Sequence, residues 1–417
     1  MRGLRRILTT RGAAFAGCGL VLVASGILLG QTDVTRAGVL LLALVAVSLV
    51  LARRHGLSLV VERSVIPSRI AVDERATVTV RVRNVESSPT PVLLAEEALD
   101  YALGDRPRFV LGSLRPGAST EVGYTVRSHT RGVHRLGPLR LRMRDPFGLT
   151  LRGASLAGDG EVVVLPRVVP LESGRSLGSG IGSEGTIPHM VALHGEDDQT
   201  IREYRDGDDL RRIHWPATAR TGDLMVRQED RPAKRRAVVL VDSREVGHGG
   251  GGRSGSLEWT VTTAASVLTH LDRAAHAVHL VTADPASDRG VRHDDTVEGS
   301  LDALARVRLE GPDVMRGVLH DSQSLTASGG LLVYVGGPLS DDDARTLAAL
   351  RQPGSSGVAL VVDPARFGRR DGAGPAAEAT AATLRGSGWL TTVVDARTSP
   401  AQAWGTVVGG SAVGAAS

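Results

Sequence analysis

A chain of 417 residues has room for two or three domains, and 42% hydrophobic with 23% charged residues excludes a mostly disordered or fibrous chain. The single cysteine, Cys18, excludes an internal disulfide framework and a cysteine zinc cluster, and 3% aromatics leaves little for base stacking. The net charge is +4 and Lys234 is the one lysine, but the arginines alternate with acids instead of forming a basic patch, so nucleic acid is not an expected partner.

The chain opens on two apolar runs, at 13–30 and 37–52. The first carries no charge and covers roughly 27 Å as a helix, close to the ~30 Å hydrocarbon core of a bilayer. The second is shorter and dense in Leu and Val. The connection, residues 31–36, is tight, so residues 1–55 read as a two-helix membrane hairpin. A cleaved signal peptide followed by one anchor fits less well, because the first run is long for a signal core. Arg2, Arg5, Arg6 and Arg11 precede the hairpin, Arg53 and Arg54 follow it, and its tip holds Asp33 and Arg36. By the positive-inside rule both ends face the cytoplasm. The expected location is a two-pass protein of the cytoplasmic (inner) membrane, with everything after residue 55 in the cytoplasm.

Residues 56–170 read as a β-sandwich. Stretches 76–83, 120–126 and 139–143 alternate apolar and polar residues with period two, and 162–165 is a short apolar strand. Arg115-Pro116-Gly117 is a turn signal. Asp145-Pro146-Phe147-Gly148 has the residue order of a type I turn and reads as the end of a strand. Residues 171–195, rich in Ser and Gly, read as a linker.

The densest stretch lies in an arm at 196–235. It runs from Arg202 to Gly222 with no clear helical or strand period and mixes acids with guanidinium forks that can pair bidentately. The expectation is a folded arm held by Arg–Asp pairs, with Trp215 packing it onto the domain; a docking surface is the second reading. Asp208, Asp209 and His214 could in principle bind a metal, but three nearby ligand types are weak grounds for a centre.

From 236 onward strands alternate with helices. Residues 237–241 form an apolar run typical of a strand buried on both faces. Leu257, Val261, Ala264, Leu268 and Leu271 share one helix face. Strands follow at 277–282, 331–335, 358–362 and 391–394, and Ser340-Asp341-Asp342-Asp343 reads as a helix-opening cap. Such alternation predicts a doubly wound, parallel α/β domain over 236–400, with a flexible tail at 401–417. The Gly-rich loop 247–255 lacks a phosphate-loop Gly-Lys-Ser/Thr and reads as a flexible insertion. The fold class is therefore α+β and multidomain.

The arm resembles the signature of a large bacterial family known as domain of unknown function fifty-eight, through Tyr204, Gly207, Asp208, Asp209, Arg211, Ile213, Trp215, Ala219 and Arg220. His214 departs from it, since the family usually has Asp there, which weakens any role needing a third carboxylate. Residues 131–138 and 144–149 resemble a second feature of that family. The resemblance implies a carboxy-terminal domain similar to von Willebrand factor type A domains, whose Asp-x-Ser-x-Ser motif binds a divalent cation. Asp242 matches the Asp, but Arg244 and Val246 replace the two serines, and Gly336-Gly337-Pro338 stands where an acid is expected. An arginine in a cation site is repelled by the cation, so the site at Asp242 is expected to be degenerate, with Asp242 paired to a neighbouring arginine or to a helix amine group. No catalytic residue, metal or cofactor is expected. The resemblance also implies partnership with a MoxR-type AAA+ ATPase. The leading expectation is a membrane-tethered cytoplasmic adaptor that works by binding, with that ATPase, in a chaperone-like or envelope-related assembly process. The alternatives are a metal-dependent hydrolase using Asp208, Asp209, His214 and Asp242, and an envelope protein with an outward-facing β-domain.

Overall fold

The computed structural model describes residues 8–54, 58–158, 160–172, 199–204, 213, 215–229, 235–284, 286–287, 290–368 and 375–409. Most of the expected linker, residues 173–195, lies outside the described residues. The chain divides into two compact units: Met1–Arg167 with Leu304–Arg306, and Val168–Ala303 with Val307–Ser417.

The first unit opens with helices α1 (Thr10–Leu28) and α2 (Thr32–Arg54), both long and apolar enough to cross a membrane. They pack closely because glycines line the contact. Gly19 and Gly26 fall seven apart on the buried side of α1, facing α2. A Cβ on Gly19 would lie 2.9 Å from Leu42, and one on Gly38 would lie 2.7 Å from the Val23 nitrogen. Small residues at this spacing let two backbones approach in an apolar medium, where dispersion and not water drives association.

Nine strands follow: β1 (Leu59–Ile66), β2 (Arg69–Ala71), β3 (Arg75–Asn84), β4 (Leu93–Leu99), β5 (Arg108–Leu111), β6 (Ser119–Arg127), β7 (Gly132–Arg144), β8 (Leu151–Leu156) and β9 (Glu161–Leu165). One sheet has the order β1-β3-β6; the other has β2-β9-β7-β4-β5, with β8 beside β7. Val78, Val80 and Val82 of the first sheet share a core with Leu93, Ala95, Leu139, Leu141, Val162 and Val164 of the second. The alternation seen in the sequence is thus the inward face of two packed sheets.

Within this core the Arg63 and Glu97 side chains are both 0% exposed, and Arg63 Nε donates to Glu97 Oε1 at 2.8 Å. Arg63 Nη1 also donates to the Gly158 carbonyl at 3.0 Å. The 131–138 motif makes room for the pair. A Cβ on Gly137, where φ is +93°, would lie 2.7 Å from Arg63 Nη2, and one on Gly160 would lie 2.9 Å from Arg63 Cδ. Burial and the adjacent Glu97 charge both push the Tyr124 hydroxyl pKa upward, which keeps it neutral beside the pair.

In the second unit β10 (Gln199–Glu203), α3 (Trp215–Thr221) and β11 (Met225–Glu229) come first. The rest comprises β12 (Arg235–Val241), α4 (Ser256–Arg273), β13 (His276–Ala283), β14 (Val291–Asp294), α5 (Val297–Arg306), α6 (Val314–Thr326), β15 (Leu331–Gly336), α7 (Asp341–Ala349), β16 (Ser356–Val362), α8 (Pro375–Gly386), β17 (Leu390–Val394) and α9 (Pro400–Gly409). The sheet order is β14-β13-β12-β15-β16-β17. All pairings are parallel except β13 with β14, an antiparallel edge strand that the sequence pattern did not announce. Val238 and Leu240 share a core with side chains of α6, α7 and α8. Helix α4 packs on β12, β13 and β15 without joining that core, so it covers the opposite face. Ser340 caps α7 as expected, accepting from the Asp343 N–H at 3.2 Å. Two expectations change here. The tail does not begin at 401, because α9 continues to Gly409 with Ala403, Trp404 and Val407 buried. The Gly-rich loop is packed and not a loose insertion: Ser256 N–H donates to Gly249 O at 2.9 Å, and a Cβ on Gly249 would strike the Pro364 backbone.

The buried pair yields the first test. Glu97→Ala leaves an uncompensated guanidinium in the β-core and is expected to destabilise the first unit by about 3–5 kcal/mol. Arg63→Met combined with Glu97→Leu removes both charges and should recover most of that loss. Denaturant unfolding of the detergent-solubilised chain measures both. Equal destabilisation by the single and double variants would contradict a charge-desolvation origin.

Candidate functional site

In an open α/β sheet, ligands bind beyond the carboxyl ends of the strands, where strand order reverses. Here that point lies between β12 and β15. Asp242 follows β12 and is 1% exposed, and Arg244 is 5% exposed. Arg244 Nε and Nη2 donate to the two Asp242 oxygens at 2.9 Å each, a bidentate fork. The Arg244 N–H adds a bond to Oδ1 at 3.0 Å, and Nη2 also donates to Pro338 O at 2.9 Å. Gly337 N–H donates to Oδ2 at 3.2 Å. The buried Tyr334 hydroxyl donates to Gly337 O at 2.7 Å and lies 3.3 Å from Oδ2.

Burial alone would lower the Arg244 pKa, but the hydrogen bonds and charge of Asp242 outweigh it and hold the pKa above its ordinary value. Burial, reinforced by Asp242, pushes the Tyr334 pKa well up. The guanidinium stays charged and the phenol neutral. The Asp242 negative charge is thus met inside the fold.

The glycines around it are explained by space. A Cβ on Gly336 would run into Asp242 Cβ, one on Gly337 into Gly247 O, and one on Gly247 would lie 2.8 Å from Asp242 Oδ2. An acid after β15, which a type A cation site needs, has no room. Divalent cations of this kind take six to eight oxygen ligands, and both Asp242 oxygens already serve the Arg244 fork and backbone N–H groups. The residues present do not fit a divalent cation.

Other acids along this edge are also locally satisfied. Asp363, at the end of β16, is 1% exposed and pairs with Arg366 Nε at 3.1 Å. Asp395, after β17, accepts from the Thr398 hydroxyl at 2.8 Å, which lowers its pKa. His248 ties the Asp242 loop to α4. Its Nε2 lies 2.9 Å from the Asp242 carbonyl, which can only accept, so Nε2 carries the proton. Nδ1 then accepts from the Ser256 hydroxyl at 2.9 Å. Burial, and to a lesser degree Arg244, lower the His248 pKa against the opposing pull of Asp242.

The rim is more exposed. Val246 is 66% and Leu309 46% exposed, and their loops are joined by Glu245 N–H donating to Glu310 O at 2.9 Å.

The arm is a β-hairpin with an inserted short helix, not an aperiodic segment. β10 pairs antiparallel with β11 from Gln199↔Glu229 to Glu203↔Met225, and Ile213 bridges Val226. Five-residue strands separated by more than 20 residues leave little periodicity to read. Tyr204 and Ile213 are half-buried, while Ala219 and Arg220 are exposed. Trp215 is 67% exposed on α3, which buries no residue, so it does not pack the arm onto the domain as expected. Gly207, Asp208, Asp209, Arg211 and His214 lie outside the described residues. In the first unit, the Asp145-Pro146-Phe147-Gly148 turn closes with Gly148 N–H donating to Asp145 O at 3.0 Å. Among the described residues, no group of three or more His, Cys, Asp or Glu could hold a metal.

Residues 200–350 match the model of a family described as protein of unknown function DUF58. No curated protein matches the chain. Similar solved structures include the CARDB domain of the PF1109 protein from Pyrococcus furiosus, at 17% identity over 26% of this chain and 89% of that chain, with a TM-score of 0.19. The alkylpurine DNA glycosylase AlkC of Pseudomonas fluorescens is 18% identical over 31% of this chain and 39% of that chain, with a TM-score of 0.17. Likenesses at these scores carry no argument.

Two tests follow from the site. Arg244→Ala strips the partner from a buried carboxylate and is expected to cost about 3–5 kcal/mol in denaturant unfolding. His248 gives a pH signature. Its folded pKa lies below the ordinary 6.5, so the unfolded chain binds more protons between the two values and stability rises with pH there. The contribution is complete above pH 6.5 and is lost as pH falls toward the depressed value. His248→Gln should flatten that part of the profile; an unchanged slope would contradict the assignment.

Proposed function

We propose that the chain is a membrane-tethered cytoplasmic adaptor that works by binding, in partnership with a MoxR-type AAA+ ATPase. The observation that carries this reading is the Arg244–Asp242 pair filling the crevice where the second unit's sheet would otherwise take a ligand. The order β14-β13-β12-β15-β16-β17, with its antiparallel edge, supports a von Willebrand factor type A-like fold for this unit. Such domains commonly present the top of the sheet to a partner. With the cation position filled from within, recognition falls to the exposed side chains Val246 and Leu309 on the rim and Trp215 on the arm. Tryptophan contributes disproportionately to interfaces when a partner desolvates it. The match over 200–350 supports the family resemblance, and that resemblance is the source of the ATPase partner. The arginines flanking the two apolar helices favour cytoplasmic ends.

Crosslinking and co-purification from native membranes test the reading. The parent should recover the ATPase. Trp215→Ala should lose it while melting within a degree or two of the parent, because an exposed side chain contributes little to stability. A variant that melts early yet keeps the ATPase would return Trp215 to a scaffold role. A carboxy-terminal reporter that is active only outside the cytoplasm should stay silent; activity would overturn both the topology and the partnership.

A further inference from the structure

The turn between β7 and β8 touches the open end of the apolar hairpin on both helices. Thr9, the cap of α1, donates its N–H to Leu149 O at 2.9 Å and its hydroxyl to Gly148 O at 2.8 Å. Leu8 bridges Thr150. A Cβ on Gly12 would strike the Leu149 carbonyl, so that glycine permits the contact. On the other helix, Arg152 Nη1 donates to Ala52 O at 2.9 Å, satisfying a carbonyl of the last turn. Ser48, one turn earlier, is fully buried; burial would raise the Asp145 pKa, but the Thr150 N–H and hydroxyl, joined by the nearby Ser48 hydroxyl, hold it below its ordinary value. Gly12 and Ser48 both lie inside the membrane-competent spans Thr10–Leu28 and Thr32–Ala52. The turn therefore reaches about one helical turn, roughly 5 Å, alongside the ends of the helices.

Its chemistry suits that depth. Asp145 accepts from Phe147 N–H at 3.1 Å, from Thr150 N–H at 2.5 Å and from the Thr150 hydroxyl at 3.0 Å. With Gly148 N–H on Asp145 O and Thr9 on the Gly148 and Leu149 carbonyls, the turn's polar backbone is largely satisfied without water. Backbone near hydrocarbon needs this. Its outer surface carries exposed Pro146 and Phe147, Phe147 at 50%, flanked by exposed Arg11, Arg142 and Arg144. An aromatic ring among arginines is the composition of a membrane–water interface.

We propose that residues 144–150 form an interfacial foot, with Phe147 seated in the headgroup layer of the bilayer and Arg11 and Arg144 facing anionic lipid headgroups. The proposal rests on α1 and α2 spanning the membrane, and the experiment separates the two claims. The full chain is placed in nanodiscs carrying nitroxide at the headgroup or mid-chain, in phosphatidylcholine with or without phosphatidylglycerol. Single fluorescent labels are attached at the native Cys18, or in a Cys18→Ala background at Phe147→Cys or Tyr101→Cys. Tyr101 is 96% exposed, and neighbouring Asp100 accepts from His134, ten residues along β7 from Arg144, so the site is roughly 30 Å from the foot.

The Cys18 label should lose most of its emission to mid-chain nitroxide. The Phe147→Cys label should lose most of its emission to headgroup nitroxide, more so with phosphatidylglycerol, while the Tyr101→Cys label keeps its emission. Adding Arg11→Gln together with Arg144→Gln should abolish the phosphatidylglycerol preference. If the Cys18 label is quenched but Phe147→Cys behaves like Tyr101→Cys, the helices span and the foot is disproved. Should the Cys18 label escape quenching, the spanning reading fails and the foot falls with it. Quenching at Phe147→Cys that is indifferent to phosphatidylglycerol overturns the anionic-headgroup assignment.

Discussion

Asp242 places a negative charge, 1% exposed, at the carboxyl end of one of the two central strands of the second unit. An unpaired buried carboxylate is untenable in a low-dielectric interior, and the surrounding loops are arranged around its neutralisation. Arg244 supplies the counter-charge from two residues away, with both fork bonds at 2.9 Å. Gly247 and Gly336 carry no Cβ because Asp242 leaves no space for one, and Gly337 carries none because it sits against the Gly247 backbone. His248 pins the Asp242 carbonyl to α4 through Ser256. The same residues that make the pair fit also fill the crevice in which α/β sheets usually hold small ligands, which turns attention from chemistry inside the crevice to contacts on its rim.

The first unit handles buried charge in the same way. Arg63 and Glu97 are 34 residues apart in sequence and meet in the centre of a β-core, with Gly137, Gly158 and Gly160 packed around the guanidinium. A buried ion pair is weak grounds for net stability, because desolvation offsets most of the Coulombic gain. Its more direct consequence is geometric, since it ties β1 of one sheet to β4 of the other. In both units, glycines that look like turn residues in the sequence are spacers around a buried ion pair: around Arg63 in the first unit, and around Asp242 and its neighbouring loop in the second.

These features also explain what was legible in the sequence and what was not. The apolar runs 13–30 and 37–52, the alternation at 76–83 and the buried run 237–241 each depend on local period, and each corresponds to an element. The replacement of serines by Arg244 and Val246 left an arginine or a helix amine group as the partner of Asp242, and the structure gives the arginine. Features that depend on distant contacts were not readable. The Arg63–Glu97 pair, the β10–β11 hairpin and the seating of the 145–150 turn on Thr9, about 140 residues away, leave no local signature. The spacing of Gly19 and Gly26 was readable as a helix-packing stripe but was masked by the apolar residues around it. Trp215 was misjudged because large aromatics are usually buried on average, whereas here the ring stands out from a short helix with no buried residue.

The central claim is that Arg244 takes the place of a cation at the carboxyl end of the sheet. Titration calorimetry of the detergent-solubilised chain with Mg²⁺ and with Mn²⁺ tests it most directly. The account predicts no stoichiometric site of micromolar affinity in the parent protein. A one-to-one site that disappears in Asp242→Ala would contradict it, since the carboxylate would then be available to a metal despite the guanidinium.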